Sequence, residues 1–403
     1  MNIAYLANYQ GEDLIRQRRL LRNRALAGSQ KIATLSQLLV QAGCRVKVFS
    51  LGAVAERTGR FHRGFWSRPS QAGEVSVLYL ADWDVLIAGR IVGTIGMIWA
   101  LLKEQRRDQI DVVFLYNCGL PEAIAACVLA KVARVPVVLE YEDDVNQGAD
   151  GRRSWRQYCH TVGLLAVQRA VRGVVAVSQQ LLSQVNQSNG YVLPGVLSVD
   201  LGSIRDAGDL EDGGLRFLYA GSIQASKGVL ELCEAWIIAR LPGCELHIAG
   251  EGPLLAEARA AFLGEPTIHF HGFVTRERLL DLFSSAHVLV NPHRNAVETG
   301  SIFPFKMIEY LGTGRPVIST QMAALDGVIG SAVLYTESDL PAHMAAALRE
   351  MKRDYPSWSS KAGISKLEAW RLYGPDAVRS ALLTVFGRAV MKEPGKAAAS
   401  VIR

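Results

Sequence analysis

From Leu215 onward the chain repeats one pattern, and that pattern limits the possible folds more than any single residue does. Short apolar runs of strand length alternate with longer stretches whose apolar residues recur at helical spacing. LRFLYAGS reads as strand, GVLELCEAWIIAR as helix, CELHIAGEG as strand and turn, LLAEARAAF as helix. IHFHGFV (strand), ERLLDLFSSA (helix), HVLVNP (strand), PFKMIEYLGTG (helix) and RPVIST (strand) follow, and AVLY and DLPAHMAAALREMKR close the series. Such alternation belongs to the α/β class.

The first part of the chain keeps the same rhythm. NIAYLAN is a strand; GSQKIATLSQLLVQAG is a helix with Ile32, Leu35, Leu38 and Leu39 on one face and Gly43 as its stop; RVKVFSL is the next strand. The Gly28-Ser29 turn that opens this helix falls at the carboxyl end of the first strand, where open α/β sheets gather ligands. VVFLYN, VPVVLEYED, GVVAVS and GYVLPG continue the strands. No G-x-G-x-x-G is present, which removes the main mark of a dinucleotide-binding dehydrogenase.

At 403 residues the chain is too long for one ordinary core. The polar, Asp- and Gly-rich SVDLGSIRDAGDLEDGG is the best linker candidate. The expectation is α/β architecture with two Rossmann-like domains facing each other across a deep interdomain cleft. The first would span 1–197, a linker 198–213 and the second 214–374, with a last helix at about 375–392 packing back on the first.

The composition, 49% hydrophobic and 20% charged, is that of a well-packed soluble protein. Six cysteines without a C-x-x-C pair read as reduced core thiols of a cytosolic protein rather than a zinc site. MNIAYLANYQ has no basic region ahead of an apolar stretch, so it reads as a strand and not a signal peptide. A net charge of +6 points to an anionic partner, and the absence of a recognition helix or zinc finger turns that away from nucleic acid.

Two stretches suit an anion. In ETGSIFPFKMIEYLGTGRPVIST, Pro304 fits the first helical position and Gly312 or Gly314 the stop, so residues 301–305 would present free backbone N–H groups and a positive dipole end. Lys306 and Glu309, three apart, share a face. They form either a solvated ion pair or a site in which the carboxylate grips a vicinal diol such as a ribose. In LYAGSIQASKGVLELCEAW, a strand end turns through Gly221 and Ser222 and offers Lys227-Gly228 at a helix start, again an arrangement suited to phosphate.

YAGSIQASKG, LHIAGEGPL, IHFHGFV, LFSSAHVLVNP and FPFKMIEYLGTGRPVIST follow one another in the order found in glycosyltransferase family 4, and the segment from Phe217 to Thr320 resembles that family of retaining GT-B enzymes. The first half resembles it more loosely, through Gly28-Ser29, the AGCRV helix exit and VLPG. The resemblance implies that Lys227 neutralises a donor pyrophosphate, Glu309 holds the ribose, Phe273 and Val274 border the base, and backbone N–H groups near Ile302 and Phe303 meet the phosphates. Gly28 would let the first-domain loop approach the donor. Three positions depart from the family pattern. Ser301 stands where a sugar-contacting Glu is common, Ser222 where an Arg is common after the glycine, and Gly195 where an Asn often follows the Pro.

In the first half, LEYEDD leaves a strand with four acids, of which Glu142 and Asp143 are candidates for orienting an acceptor or stabilising oxocarbenium charge; the same acids suit a solvated strand end or a helix cap. Asn117 is a further acceptor-side candidate. The candidate catalytic residues are thus Glu142, Asp143 and Lys227, and the donor-side candidates Gly28, Ser222, Lys227, Phe273, Val274, Ser301, Ile302, Phe303, Lys306 and Glu309. DWD at 82–84 reads as a turn rather than a metal motif, and His269 and His271 as strand histidines with no third ligand evident. LIRQRRLLRNRALAG, with Arg16, Arg18, Arg19, Arg22 and Arg24, and the apolar VLIAGRIVGTIGMIWALL could rest on an anionic bilayer or serve as an acceptor-facing Arg cluster and a core helix.

The resemblance implies retaining transfer from a nucleoside-diphosphate sugar, UDP- or GDP-linked, to a glycan or lipid-linked glycan in cell-surface polysaccharide or glycoconjugate synthesis. It implies no obligatory cofactor or metal. The expected location is cytoplasmic, peripheral to the inner membrane face. A non-catalytic GT-B partner protein and a nucleotide-sugar epimerase are the competing readings.

Overall fold

In the computed structural model, the described residues are 1–18, 26–52, 59–68, 75–83, 85–142, 155–185, 187–205, 207, 213–294, 305–321 and 332–391. The chain divides into two compact units, Met1–Pro194 with Val378–Arg403, and Gly195–Ala377.

The first unit holds strands β1 (Asn2–Leu6), β2 (Arg45–Ser50), β3 (Phe61–His62), β4 (Phe65–Ser67), β5 (Ser76–Tyr79), β6 (Asp82–Trp83), β7 (Val112–Tyr116), β8 (Val137–Tyr141), β9 (Val171–Ala176) and β10 (Gly190–Val192). Its helices are α1 (Glu12–Gln17), α2 (Leu26–Gln41), α3 (Leu86–Asp108), α4 (Leu120–Ala133), α5 (Trp155–Val167) and α6 (Gln179–Gln184). The main sheet runs β10-β9-β8-β7-β1-β2-β5-β4, parallel throughout except for β4 on β5. Chain order reverses between β2 and β7, on either side of β1, which is the Rossmann switch point. Ile3, Tyr5, Leu6, Val112 to Leu115 and Val137 to Leu139 are all buried, because helices cover both faces of a parallel sheet. That double burial makes these strands continuous apolar runs instead of alternating ones.

Gly89 explains one of the glycines in the apolar α3 stretch: a Cβ there would stand 2.0 Å from the Trp83 carbonyl oxygen. The helix is amphipathic, and no described helix is long and apolar enough to cross a membrane. Asp82 and Trp83 are not a turn. They pair antiparallel with Phe61 and His62 as a two-stranded ribbon.

The second unit holds β11 (Arg216–Ala220), β12 (Glu245–Ala249), β13 (Ile268–Gly272), β14 (Val288–Asn291), β15 (Val317–Thr320) and β16 (Val333–Thr336). All pair in parallel in the order β13-β12-β11-β14-β15-β16, a second Rossmann arrangement. The helices are α7 (Val229–Ala239), α8 (Leu255–Ala261), α9 (Arg276–Ser285), α10 (Lys306–Thr313), α11 (Pro341–Arg353) and α12 (Tyr355–Tyr373); α13 (Pro375–Val390) closes the chain. Phe217, Trp236, Ile248 and Leu348 anchor its core, and the Trp236 indole N–H reaches Thr267 Oγ1 at 3.0 Å. Helix α10 stops at Gly314, whose φ of 79° suits glycine, while Gly312 lies inside the helix against Leu197. In the first unit Phe386 of α13 meets Phe114 edge-on at 5.0 Å between ring centres.

Candidate functional site

In the second unit, the loops leaving β11, β12 and β14 meet at the carboxyl edge of the sheet. At two points they meet backbone to backbone. A Cβ on Gly250 would fall 1.8 Å from the Gly221 carbonyl oxygen, and one on Gly228 would fall 1.9 Å from that of Pro292. Gly221, Gly250 and Gly228 have φ of 152°, 145° and 66°, so conformation favours glycine at all three and space requires it at Gly250 and Gly228. A 3₁₀ turn, Ala225–Lys227, delivers Lys227 to this floor and ends on Gly228, from which α7 starts.

Three nitrogens converge there. Lys227 Nζ lies 2.9 Å from Nε2 of His293, a buried side chain on the loop after β14. Lys306, the first residue of α10, sends its buried ammonium inward, 4.2 Å from the ring centre of Tyr219 and beside Gly221. It has no hydrogen-bond acceptor among the described residues, and no described carboxylate forms an ion pair with it. Burial, then the neighbouring Lys227, pushes its pKa well below the usual lysine value. Burial, Lys227 and Lys306 likewise press His293 down to about 4. The charged form of Lys306, disfavoured by this desolvation, is stabilised when an anion arrives.

Lys306 and Glu309 therefore do not form the solvated pair that their spacing allowed. Glu309 instead accepts from Arg276 Nη1 at 3.0 Å, and Arg276 grips Asp200 through two bonds of 2.8 Å. Arg276, Asp200 and His293 were not legible as site residues; the Thr275 cap of α9 was the only local sign near Arg276. Phe273, 69% exposed, and Val274 follow β13 just past Gly272. Ser222 accepts the Tyr219 hydroxyl through its carbonyl at 2.7 Å. Ser301, Ile302 and Phe303 lie outside the described residues.

In the first unit Gly28 sits where a Cβ would approach the Tyr116 hydroxyl to 3.2 Å. Glu142, only 6% exposed, is an ion-pair partner of Lys31 and not a solvated strand-end acid. Asn117, at φ 53°, accepts the Glu142 backbone N–H through Oδ1 at 2.8 Å. Glu140 joins this cluster, 3.7 Å from Lys31 and hydrogen-bonded by the Tyr5 hydroxyl. Burial raises its pKa to about 8 against the pull of Lys31, with Glu142 adding to the rise. Lys31, Glu140 and Tyr5 were not anticipated, and Asp143 lies outside the described residues.

Two readings require correction. Arg18 is not part of a surface Arg patch: it is 3% exposed and donates to the carbonyls of Leu51, Gly52 and Leu80. Arg16 is exposed and pairs with Glu12, and Arg19, Arg22 and Arg24 lie outside the described residues. The His269 and His271 pair does have companions. Parallel register sets His247 beside His269, and Glu245 joins them on the same face of the sheet.

Two parallel-sheet Rossmann units in one chain, with structural neighbours of the same build, define the class: an α/β protein of the GT-B type. Residues 214–354 match the family model described as glycosyl transferases group 1. The chain thus carries a glycosyltransferase domain and is an enzyme of the transferase class. No curated protein matches the sequence. Among solved structures, HepE from Anabaena in complex with UDP is similar at 13% identity and TM-score 0.65, covering 96% of this chain and 100% of that one. Sucrose-phosphate synthase from Thermosynechococcus elongatus is similar at 16% identity and TM-score 0.64, covering 96% and 98%. A glycosyltransferase from Rickettsia africae is similar at 12% identity and TM-score 0.68, covering 97% and 99%.

Proposed function

We propose that the protein is a retaining glycosyltransferase that moves a sugar from a nucleoside-diphosphate donor to a glycan or lipid-linked glycan. One observation carries the reading: the buried Lys306 nitrogen, with no acceptor or carboxylate partner among the described residues, beside Lys227 and His293. A pyrophosphate supplies the missing negative charge, and stabilising it as it leaves is the main electrostatic demand of sugar transfer. Glu309 accepts the ribose hydroxyls, exchanging or sharing its Arg276 contact. Phe273 and Val274 border the base, and the backbone near Ile302 and Phe303 meets the phosphates. UDP is the favoured nucleotide, since HepE was solved with UDP and with UDP-glucose.

Retention of configuration rests on the family resemblance. In the first unit Glu142, oriented by Lys31 and Asn117, is the acceptor-side carboxylate. An anionic bilayer is the proposed resting surface: Ile91, Ile95 and the 64% exposed Trp99 line one face of α3, with exposed Arg90, Lys103, Arg106 and Arg107 around it. Such a basic amphipathic face supports a cytoplasmic enzyme peripheral to the inner membrane leaflet and a lipid-linked acceptor in cell-surface glycan synthesis.

The test is calorimetric titration with UDP, GDP and their sugars, repeated on Lys227→Ala and Glu309→Ala, followed by donor hydrolysis and transfer assays. Binding of one nucleotide series that both variants weaken, with turnover, supports the reading. Binding without hydrolysis or transfer turns it to a non-catalytic GT-B protein, and no binding overturns it.

A further inference from the structure

The edge of the second unit's sheet carries a cluster that the donor site does not use. Glu245 and His247 lie two apart on β12, so both project from one face. The parallel register sets His247 directly opposite His269 of the edge strand β13, and His271 follows on the same face. Ligand-capable atoms of Glu245, His247 and His269 lie within 4.8 Å of one another, and all three side chains are half-buried.

We propose that Glu245, His247 and His269 bind a divalent transition metal of the zinc class, with His271 as its outer partner. Tetrahedral zinc with bonds of about 2.0–2.1 Å holds neighbouring donor atoms about 3.3 Å apart. Glu245 Oε2 and His247 Nε2 already stand at 3.3 Å. The rings of His247 and His269, 4.8 Å between centres, can bring a nitrogen of His269 to the same point by side-chain rotation. His247 Nδ1 meets His271 Nε2 at 2.9 Å. With the proton on Nδ1, His271 accepts it, which fixes the tautomer that leaves Nε2 free to ligate. Metal-bound histidines are commonly held this way by a second partner. Arg216 Nε shares Glu245 Oε2 at 3.3 Å, a partly exposed contact that a metal would displace at little cost.

Three protein ligands leave a fourth position for water. The site lies along β12 and β13, whereas the phosphate floor sits on loops beyond the carboxyl ends of β11, β12 and β14. Its role is therefore to staple the edge strand to the sheet, not to take part in transfer. Carboxylate and imidazole donors select zinc, cobalt or nickel over calcium and magnesium.

The test uses untagged full-length protein, dialysed against zinc chloride and then against metal-free buffer, with metal content read by atomic emission. Cobalt(II) is added in parallel and followed by visible absorption. The expected result is one zinc per chain, a cobalt spectrum of tetrahedral nitrogen and oxygen ligation, and loss of both in His247→Gln and His269→Gln. His271→Ala should weaken zinc about ten- to a hundredfold without abolishing it. Circular dichroism of the metal-free variants checks folding, and the wild-type cobalt spectrum stands without them. No retained metal, a thiolate-to-cobalt band from the cysteines, or equal binding by the folded histidine variants would overturn the assignment.

Discussion

The ammonium of Lys306 stands 4.2 Å from the ring centre of Tyr219, buried and without a described carboxylate partner. A cation in that position costs stability when the site is empty and binds tightly when an anion fills it.

Replacing Lys306 with Met should therefore separate binding from stability. Affinity for UDP should fall about ten- to a hundredfold, the scale of one or two charge-assisted hydrogen bonds, while the ligand-free melting temperature stays level or rises. Calorimetry and a ligand-free thermal melt on Lys306→Met check this. A fall in the melting temperature would make Lys306 a structural residue instead.

Stability should depend on pH in two opposed ways. The folded pKa of Lys306 is depressed, so the unfolded chain holds more protons between that depressed value and the ordinary 10.5, and stability rises with pH across the window. Glu140 is raised from 4.5 to about 8, so its contribution is full below 4.5 and is lost as pH rises through about 8. Urea denaturation across both windows should show Lys306→Met flattening the alkaline rise and Glu140→Gln removing the loss between 4.5 and about 8.

Glu309→Gln should discriminate the two halves of a nucleotide. If the carboxylate holds the ribose, affinity for UDP drops about tenfold while inorganic pyrophosphate binds as before. Competition titration of the two ligands reads this directly, and an equal loss of both would place Glu309 on the phosphates or in the fold.

Arg18 and the α3 face should behave in opposite fashion. Arg18→Ala removes the donor that Arg18 gives to three backbone carbonyls and should cost about 2–3 kcal/mol of stability, with vesicle binding unchanged in the folded fraction. Ile91→Ser with Ile95→Ser should leave stability near wild type and reduce co-sedimentation with anionic vesicles. Unchanged sedimentation of the double variant would count against α3 as the membrane face.

What could be read from the sequence followed from local chemistry. Strands such as Val112–Tyr116 and Val288–Asn291 declare themselves because burial on both faces makes them apolar throughout. Lys227 and Glu309 stood out by their motif surroundings, and Gly314 by its place after a helix. Contacts between distant segments were hidden. Nothing in LIRQRR says that Arg18 will meet Leu80, and nothing near His269 says that His247 lies opposite it, because strand register is a property of the sheet. Lys31 meets Glu142 across more than a hundred residues, and Asp200 meets Arg276 from a stretch expected to be linker.

The contacts of Gly250 on Gly221 and of Gly228 on Pro292 bear on how such a protein can diversify. At both contacts this floor is main chain against main chain, so its shape is inherited from the sheet and not from neighbouring side chains. Under the proposed function, Ser222, Phe273 and Val274 can then drift under selection and retune which nucleotide or sugar is preferred, while the diphosphate subsite stays where the glycines put it.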